Sequence, residues 1–335
     1  MKYLFGLLLL LVIFPVSGQE NMIARLPQPS SPFPQWAYWN PTHDTILVSN
    51  GKTMQLYTSD FYLLRDIRLV PEDIDANPEK GVDVLFGAVW HPTGQWIMID
   101  HYLSMEIWNA DLTTKLYTSP PQGSMDQGIT WHSQKPWLAF TSYRAPIRIF
   151  DFMTQKDIAT HKGWVVSGLA WWPGTDKLAF IDTDGFTVWD VTQNTFIHPP
   201  ITTNESFLFN RSGSLLADTH QGKPAAFCTD TWEQVFYLEL ENYFNHLDWI
   251  DDHRIGVLDN TEQLSISDIN TGQTIFLDTL PKGNFGMSWN ASGSRFLVIA
   301  PGDITIRDTN TGEVLASLKA VLDGTVIPPM PIATP

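Results

Sequence analysis

The sequence predicts an all-β protein, a seven-bladed β-propeller built from four-stranded antiparallel blades. Three observations lead to this prediction. An aromatic landmark recurs along residues 33–320, a second landmark keeps step with it, and short strand-like runs separated by turn residues fill the intervals. A period near 40 residues that persists this long is typical of an array of equal supersecondary units.

The first landmark is an aromatic residue that ends an apolar run, before a tight polar turn and a second apolar run. Successive copies lie 51, 41, 40, 38, 40 and 40 residues apart. Large flat side chains fill gaps between sheets, so we expect these anchors to pack between neighbouring blades and not against a ligand. The anchors are Trp39, Trp90, Trp131, Trp171, Phe209, Trp249 and Trp289.

The second landmark ends the third strand of each unit, at intervals of 51, 42, 39, 39, 39 and 40 residues. Two landmarks that keep step support the repeat more strongly than either alone. The triplets are Leu56-Tyr57-Thr58, Ile107-Trp108-Asn109, Ile149-Phe150-Asp151, Val188-Trp189-Asp190, Phe227-Cys228-Thr229, Ile266-Ser267-Asp268 and Ile306-Arg307-Asp308.

The second unit illustrates the predicted blade. Strands are expected at residues 86–90, 96–100, 104–109 and 114–118, because these runs are rich in β-branched and aromatic residues and are bounded by Pro, Gly, Asn and Asp. One such sheet cannot bury its apolar face alone, but a ring of seven can. The last unit has its own fourth strand at residues 313–318, so ring closure needs no other segment, although residues 22–26 could add a clasp at an outer edge.

Residues 1–18 form the expected signal peptide: Lys2, an apolar run over residues 3–15, then small residues. That run is shorter than the roughly 20 residues that span a bilayer, so we expect cleavage, export to a secreted or periplasmic location and no stable membrane insertion. An uncleaved membrane anchor is the alternative. Residues 19–32 are an N-terminal leader, residues 33–320 the propeller, and residues 321–335 a Pro-rich tail.

The formal net charge of −16 opposes binding to nucleic acid. Cys228 is the only cysteine, which excludes an intramolecular disulfide. It falls within a predicted strand, where we expect a buried and inert thiol.

We find no nucleophile elbow, no phosphate-binding loop and no zinc spacing among the nine histidines. His91 and His132 both take the first position of the turn between the first and second strands, where other units have Asn40, Asn210 and Asn290. This equivalence predicts a structural role in the turn.

Two acidic segments are candidate sites. Asp73, Asp75 and Asn77 begin like a calcium loop, but Pro78 and Val84 break the pattern, so calcium is a weak expectation and no other cofactor is expected. Residues 241–268 contain seven acids and one base; most of the acids fall at turns, which indicates solvated carboxylates and no catalytic pair.

The fourth unit resembles a WD repeat of the β-transducin type. Val188-Trp189-Asp190 follows Asp184-Gly185, and His161 and Gly168-Leu-Ala-Trp171 come before them. The resemblance implies a hydrogen-bonded network of His161, Asp184 and Trp189 inside the blade. The Ser or Thr usual in the second strand is missing from residues 177–181, and the other units depart further.

The resemblance implies a non-catalytic, monomeric scaffold that binds a protein partner through the loops joining successive blades and those joining the second and third strands. An enzyme or quinoprotein-like domain with a site in the central tunnel is one alternative, and a TolB-like envelope accessory module is another. Tyr, Trp and Arg dominate interface energetics. The candidate partner-face residues are Tyr102, Tyr143, Arg144, Trp164, His220, Tyr243 and Phe244.

Overall fold

The computed structural model confirms the predicted fold class. Its described residues form seven four-stranded antiparallel sheets, each made of strands that follow one another in sequence. The structure describes residues 36–49, 53–69, 85–101, 104–120, 128–141, 145–163, 165–201, 207–220, 223–240, 244–281, 286–300 and 302–319.

The first four blades contain strands β1 to β16. Blade 1 contains β1 (Trp36–Trp39), β2 (Thr45–Ser49), β3 (Thr53–Thr58) and β4 (Leu63–Arg68). Blade 2 contains β5 (Leu85–Trp90), β6 (Trp96–His101), β7 (Met105–Asn109) and β8 (Lys115–Thr118). Blade 3 contains β9 (Gly128–Trp131), β10 (Trp137–Thr141), β11 (Ile147–Asp151) and β12 (Lys156–His161). Blade 4 contains β13 (Val165–Trp171), β14 (Lys177–Asp182), β15 (Gly185–Asp190) and β16 (Thr195–Ile197).

The last three blades contain strands β17 to β28. Blade 5 contains β17 (Phe207–Phe209), β18 (Leu215–His220), β19 (Lys223–Cys228) and β20 (Gln234–Tyr237). Blade 6 contains β21 (Phe244–Trp249), β22 (Arg254–Asp259), β23 (Gln263–Asp268) and β24 (Thr274–Thr279). Blade 7 contains β25 (Gly286–Trp289), β26 (Arg295–Ala300), β27 (Asp303–Asp308) and β28 (Val314–Ser317).

The ring closes by packing blade 7 against blade 1. Strand β1 contacts β25 and β26, and Trp39 donates its backbone N–H to Ser288 Oγ at 3.2 Å. One continuous apolar cluster joins Ile46 of blade 1 to Leu297 of blade 7. Blade 7 is completed by its own β28, as predicted. The suggested clasp at residues 22–26 lies outside the described residues and stays a prediction.

The aromatic anchors lie between neighbouring blades, which confirms their predicted role in packing. Five of them are buried. The indole of Trp131 donates to the carbonyl of Val89 in the preceding blade at 3.1 Å, and Trp249 donates to Leu208 in the same way at 2.9 Å. These two anchors therefore tie their own blades to the preceding one by a hydrogen bond as well as by packing.

The second landmark needs a correction in blade 5. The residue that ends the third strand donates its backbone N–H across the following turn: Asp308 to the carbonyl of Glu313, and Cys228 to that of Glu233. Cys228 therefore takes the last position, and the triplet is Ala226-Phe227-Cys228, one residue earlier than predicted. The apolar pattern fits both registers, and a cysteine does not resemble the Asp or Asn that ends this strand elsewhere.

The outer strands of five blades have a β-bulge at the same place. In each of them, one residue of the fourth strand has no partner in the register with the third strand. A bulge twists an edge strand and discourages edge-to-edge pairing between molecules. The extra residues are Leu64, Leu116, Ile158, Val235 and Leu315.

Candidate functional site

The turns between the first and second strands, here called a–b turns, connect neighbouring blades. His91 follows the anchor of blade 2 and is fully buried. Its Nδ1 accepts the backbone N–H of Thr93, so Nε2 holds the proton and donates to the carbonyl of Lys135 in blade 3 at 3.0 Å. Burial lowers the pKa of His91, which keeps the ring neutral. The predicted turn role is confirmed.

His132 acts in the same way one blade further on. Its Nδ1 accepts the backbone N–H groups of Gln134 and Lys135, and its Nε2 lies 3.1 Å from Oδ1 of Asp176 in blade 4. Lys135 donates to the same carboxylate. These bonds to Lys135 and His132 lower the pKa of Asp176 against the opposing effect of its burial, so the carboxylate stays charged across this junction.

The same contact, here called a latch, recurs around the ring. Asn40 Nδ2 donates to the carbonyl of Gly94 at 3.1 Å, and Trp172 Nε1 donates to that of Gly213 at 2.9 Å. In blade 6 the residue after the anchor is Ile250, whose apolar side chain cannot donate a hydrogen bond. Arg254 is the donor instead. Arg254 Nη2 reaches the carbonyl of Gly293 at 3.2 Å. Between blades 5 and 6, Asn210 Nδ2 donates to the carbonyl of Asp252 at 3.1 Å. Latches therefore join six consecutive pairs of blades.

The junction between blades 7 and 1 is different. Asn290 Nδ2 turns back to Ser294 of its own turn at 3.4 Å, and a cleft of about 310 Å³ separates the two a–b turns. Within the described residues, the side chains of Arg295 and Asp44 have no hydrogen-bond or ion-pair partner. We call this the seam cleft. Its lining residues are Thr42, His43, Asp44, Asn290, Ala291, Ser292, Ser294 and Arg295.

The first strands are innermost, and the residue before each anchor lies at the central channel. Tyr38, Val89 and Leu208 take this position and are 40%, 37% and 37% exposed in the middle of their strands. Exposure there can only be to the channel, because both neighbouring positions pack between blades. The full ring is Tyr38, Val89, Thr130, Ala170, Leu208, Asp248 and Ser288.

Asp248 is the one acid of this ring. Burial raises its pKa to about 7, although its Oδ1 accepts the backbone N–H of Trp249 at 2.8 Å, which opposes the shift. Burial raises the pKa of Tyr38, and the negative charge of Asp248 raises it further. The two side chains are therefore close enough to interact electrostatically. The channel therefore contains a carboxyl group that titrates near neutral pH.

Sequence reasoning missed Asp248 because it treated the acids of residues 241–268 together. Asp251, Asp259 and Asp268 do close turns, as predicted: each accepts backbone N–H groups of the residues that follow it. Asp248 instead lies in a strand. Aligning the residue before each anchor would have shown the one acid there.

The predicted partner face lies mostly outside the described residues, as Tyr102, Tyr143, Arg144, Trp164 and Tyr243 do. His220 ends β18 and Phe244 begins β21, at the same end of their blades, and Phe244 is half-buried. This face stays a prediction.

Asp73, Asp75 and Asn77, the calcium candidates, are also outside the described residues. Within the described ranges, no group of three or more His, Cys, Asp or Glu side chains is arranged to hold a metal ion. Those ranges also contain no helix of the length and apolarity that crossing a bilayer requires.

The network implied for blade 4 forms differently. Trp189 Nε1 donates to Asn194 Oδ1 at 3.2 Å, and Asp184 donates its backbone N–H to Asp182 Oδ1 at 2.8 Å. The His161 ring packs 5.7 Å from Trp189, but its Nε2 has no hydrogen-bond partner in the described part of the chain. Asn194, whose φ of 51° turns it back towards the strand, takes the indole N–H that the resemblance assigned to the network.

Cys228 is half-buried, not buried as predicted. Because it ends the third strand, its sulfur takes the place of the carboxylate that closes this turn in blades 6 and 7. The backbone N–H groups of Thr231 and Asp230 and the Thr231 hydroxyl bond the sulfur and lower the pKa of the thiol. These hydrogen bonds favour the thiolate form of Cys228.

We expect Cys228→Asp to raise the free energy of unfolding by about 1 kcal/mol relative to Cys228→Ala, because a carboxylate accepts these N–H groups more strongly than sulfur. Asp268→Ala removes the same contact from blade 6 and should cost a similar amount. Urea unfolding of the three variants measures this. Equal stability of the Asp and Ala variants would contradict the assigned turn role.

No protein-family model matches the sequence, and no curated protein matches it. Among solved structures, the chain is similar to one in "Crystal Structure of Mitotic Checkpoint Complex", with a TM-score of 0.61 and 15% identity over 78% of this chain and 85% of that chain. It is also similar to "Crystal Structure Of The C-Terminal WD40 Domain Of Sif2", with a TM-score of 0.59 and 12% identity over 84% of each chain.

These likenesses show the fold alone, a propeller like those of WD40 proteins. Because 1657 chains of solved structures match, the architecture by itself selects no function.

Proposed function

We propose that this chain is an exported, non-catalytic scaffold of WD-repeat type that binds a protein partner through the loops joining successive blades. The observation that supports it is the way the ring is held. Anchors pack between blades, latches join six junctions, and an apolar cluster closes the seventh. The blades are therefore held at fixed positions by contacts inside the ring.

A rigid frame matters for this function because loops held at fixed ends lose less conformational entropy on binding. Binding loops are commonly displayed on rigid scaffolds for the same reason. Export is proposed from the basic, then apolar, then small-residue pattern of residues 1–18. A TolB-like accessory role in a cell envelope would use the same frame and differs in the partner.

Asp248 is the observation that favours the alternative of an enzyme in the tunnel, because a carboxyl that titrates near neutral pH suits general acid–base chemistry. A general acid–base pair needs a second group of matched pKa, and burial moves the pKa of Tyr38 away from neutrality. The scaffold is therefore the function we propose.

The test begins with cross-linking on the producing cells and identification of the captured protein. Binding of the purified partner is then measured for the combined variant Tyr143→Ala, Arg144→Ala, Trp164→Ala. We expect at least about tenfold weaker binding, because aromatic and Arg side chains dominate interface energies. The control is Tyr62→Ala with Met153→Ala, two exposed side chains near the turns at the opposite end of the blades. Equal affinity of both variants for the partner would reject this face.

Export is tested by mass spectrometry of the protein recovered outside the cytoplasm. The proposal expects a chain that begins at Gln19. A chain retained in the membrane fraction with residues 1–18 intact would show the anchor alternative instead.

A further inference from the structure

The a–b turns of blades 5 and 7 are almost the same in sequence. Residues 210–215 read Asn-Arg-Ser-Gly-Ser-Leu and residues 290–295 read Asn-Ala-Ser-Gly-Ser-Arg. Their internal hydrogen bonds also agree, since the Asn Oδ1 accepts the first backbone N–H of the following strand in each, at 3.0 Å in blade 5 and 3.1 Å in blade 7. The two turns are therefore the same structure in two environments.

The blade 5 turn shows what this structure binds. The backbone N–H of Ser212 donates to the carboxylate oxygen Oδ1 of Asp252 in blade 6 at 2.7 Å. The side-chain amide of Asn210 donates to the backbone carbonyl of Asp252 at 3.1 Å. One acidic residue from a neighbouring loop thus satisfies both donors of the turn.

The blade 7 turn has the same donors, but among the described residues no acid bonds them. Its equivalent N–H belongs to Ser292, and within the described residues that N–H has no partner. It opens into the seam cleft, where His43 of blade 1 takes the position of the acceptors Gly94 and Lys135. Asp44 takes the position of Asp176 and also lines the cleft, but within the described residues it does not bond this turn. The blade 7 turn therefore presents an empty carboxylate-binding arrangement.

Arg295 adds a positive charge to this turn. It begins β26 as Arg254 begins β22, but the two guanidinium groups differ in their contacts. Arg254 pairs with Asp251 at 2.7 Å and latches to the next blade, while Arg295 has neither contact among the described residues and is half-buried in the cleft wall. A guanidinium beside backbone N–H groups is the arrangement proteins use for carboxylates.

We propose that the seam cleft binds the side-chain carboxylate of an acidic residue on a loop of a protein partner. Asp252 in blade 6 is the internal example of that ligand. The carboxylate accepts from Ser292 N–H and from the Arg295 guanidinium. The partner's backbone carbonyl accepts from Asn290 Nδ2. Asp44, on the blade 1 side of the cleft, opposes the bound carboxylate by its charge and keeps the binding weak.

This inference rests on the proposed scaffold function for its partner class, but its test needs no partner. The mature protein is titrated with an Ala-Asp-Gly-Ala peptide blocked at both ends, while NMR follows the Ser292 amide and the Arg295 Nε–H signals. We expect both signals to shift, with a dissociation constant of roughly 1 mM. The signal of the Ser212 amide should not shift, because that N–H already donates to Asp252.

Four comparisons make the result decisive. Replacing Asp by Asn in the blocked peptide should abolish the shifts, as should Arg295→Gln in the protein, while Arg211→Gln on the twin turn should leave binding unchanged. Asp44→Asn should tighten binding, because it removes the facing negative charge. Losing a charge-assisted hydrogen bond of about 1.5–3 kcal/mol predicts at least about tenfold weaker binding for Arg295→Gln.

Several outcomes would overturn the proposal. They are equal shifts with the Asp and Asn peptides, tighter binding of an Asn peptide with a free C-terminal carboxylate, binding of inorganic phosphate but not of the Asp peptide, and no shift in either the wild type or Asp44→Asn. Each leaves the loop-face scaffold standing, because that function is tested with a different partner surface. Conversely, loss of partner binding at the loop face leaves the peptide result intact.

Discussion

Asp248→Asn should stabilise this protein, and it should do so more strongly at pH 8 than at pH 5. The native carboxyl has a pKa of about 7 because it is buried beside the channel, whereas an Asp in the unfolded chain titrates near about 3.9. As the pH rises from about 4 to about 7, the unfolded state releases its proton first, so ionisation of Asp248 favours unfolding throughout this window. Above about pH 7 Asp248 is ionised in both the folded and the unfolded state, and its ionisation lowers the stability of the fold no further.

The slope of this effect is at most about 1.4 kcal/mol per pH unit, so between pH 5 and pH 8 the advantage of the Asn variant should grow by about 2 kcal/mol. Urea unfolding of both proteins at the two pH values measures it. Asp60→Asn, at an exposed turn, is the control and should show no such growth. An equal gain from Asp248→Asn at both pH values would mean that the carboxyl is solvated in the channel.

The fold could be predicted from sequence because its signals are local and repeated. An apolar run that ends on an anchor such as Trp131, before a tight polar turn, occurs in every unit, so an error in one unit does not disturb the others. The misplaced triplet at Cys228 shows this: the register slipped by one residue in blade 5, and the fold class was unaffected.

The candidate sites could not be predicted in the same way, because they depend on differences between equivalent positions. Arg254 and Arg295 look alike in sequence, and only the ring shows that one is latched to a following blade while the other opens into the seam cleft. Asp248 likewise looks like one acid among seven until the first strands are placed at the channel. His91 was predictable because the same turn position recurs in other units.

Packing between blades also depends on which residue each blade has at an equivalent position. Gly256 gives the sharpest test of this packing. This residue lies in β22 without a left-handed backbone, and a Cβ there would lie 2.6 Å from Cζ2 of Trp289, the buried anchor of blade 7. The indole is large and rigid, and it stacks on Phe296 at 5.7 Å between ring centroids. Room for the added methyl group therefore requires a shift of this packed pair.

We therefore expect Gly256→Ala to lower the free energy of unfolding by about 1–3 kcal/mol, the usual cost of overpacking a core. Gly87 in β5 is the matched control, because a Cβ there would meet nothing within 4 Å. Gly87→Ala should stay within about 0.5 kcal/mol of the wild type. Trp289→Phe in the Gly256→Ala background should recover part of the loss, because the smaller ring leaves room for the added methyl. If Gly256→Ala costs no more than Gly87→Ala, the anchor does not fill the gap between blades 6 and 7 as tightly as the structure has it.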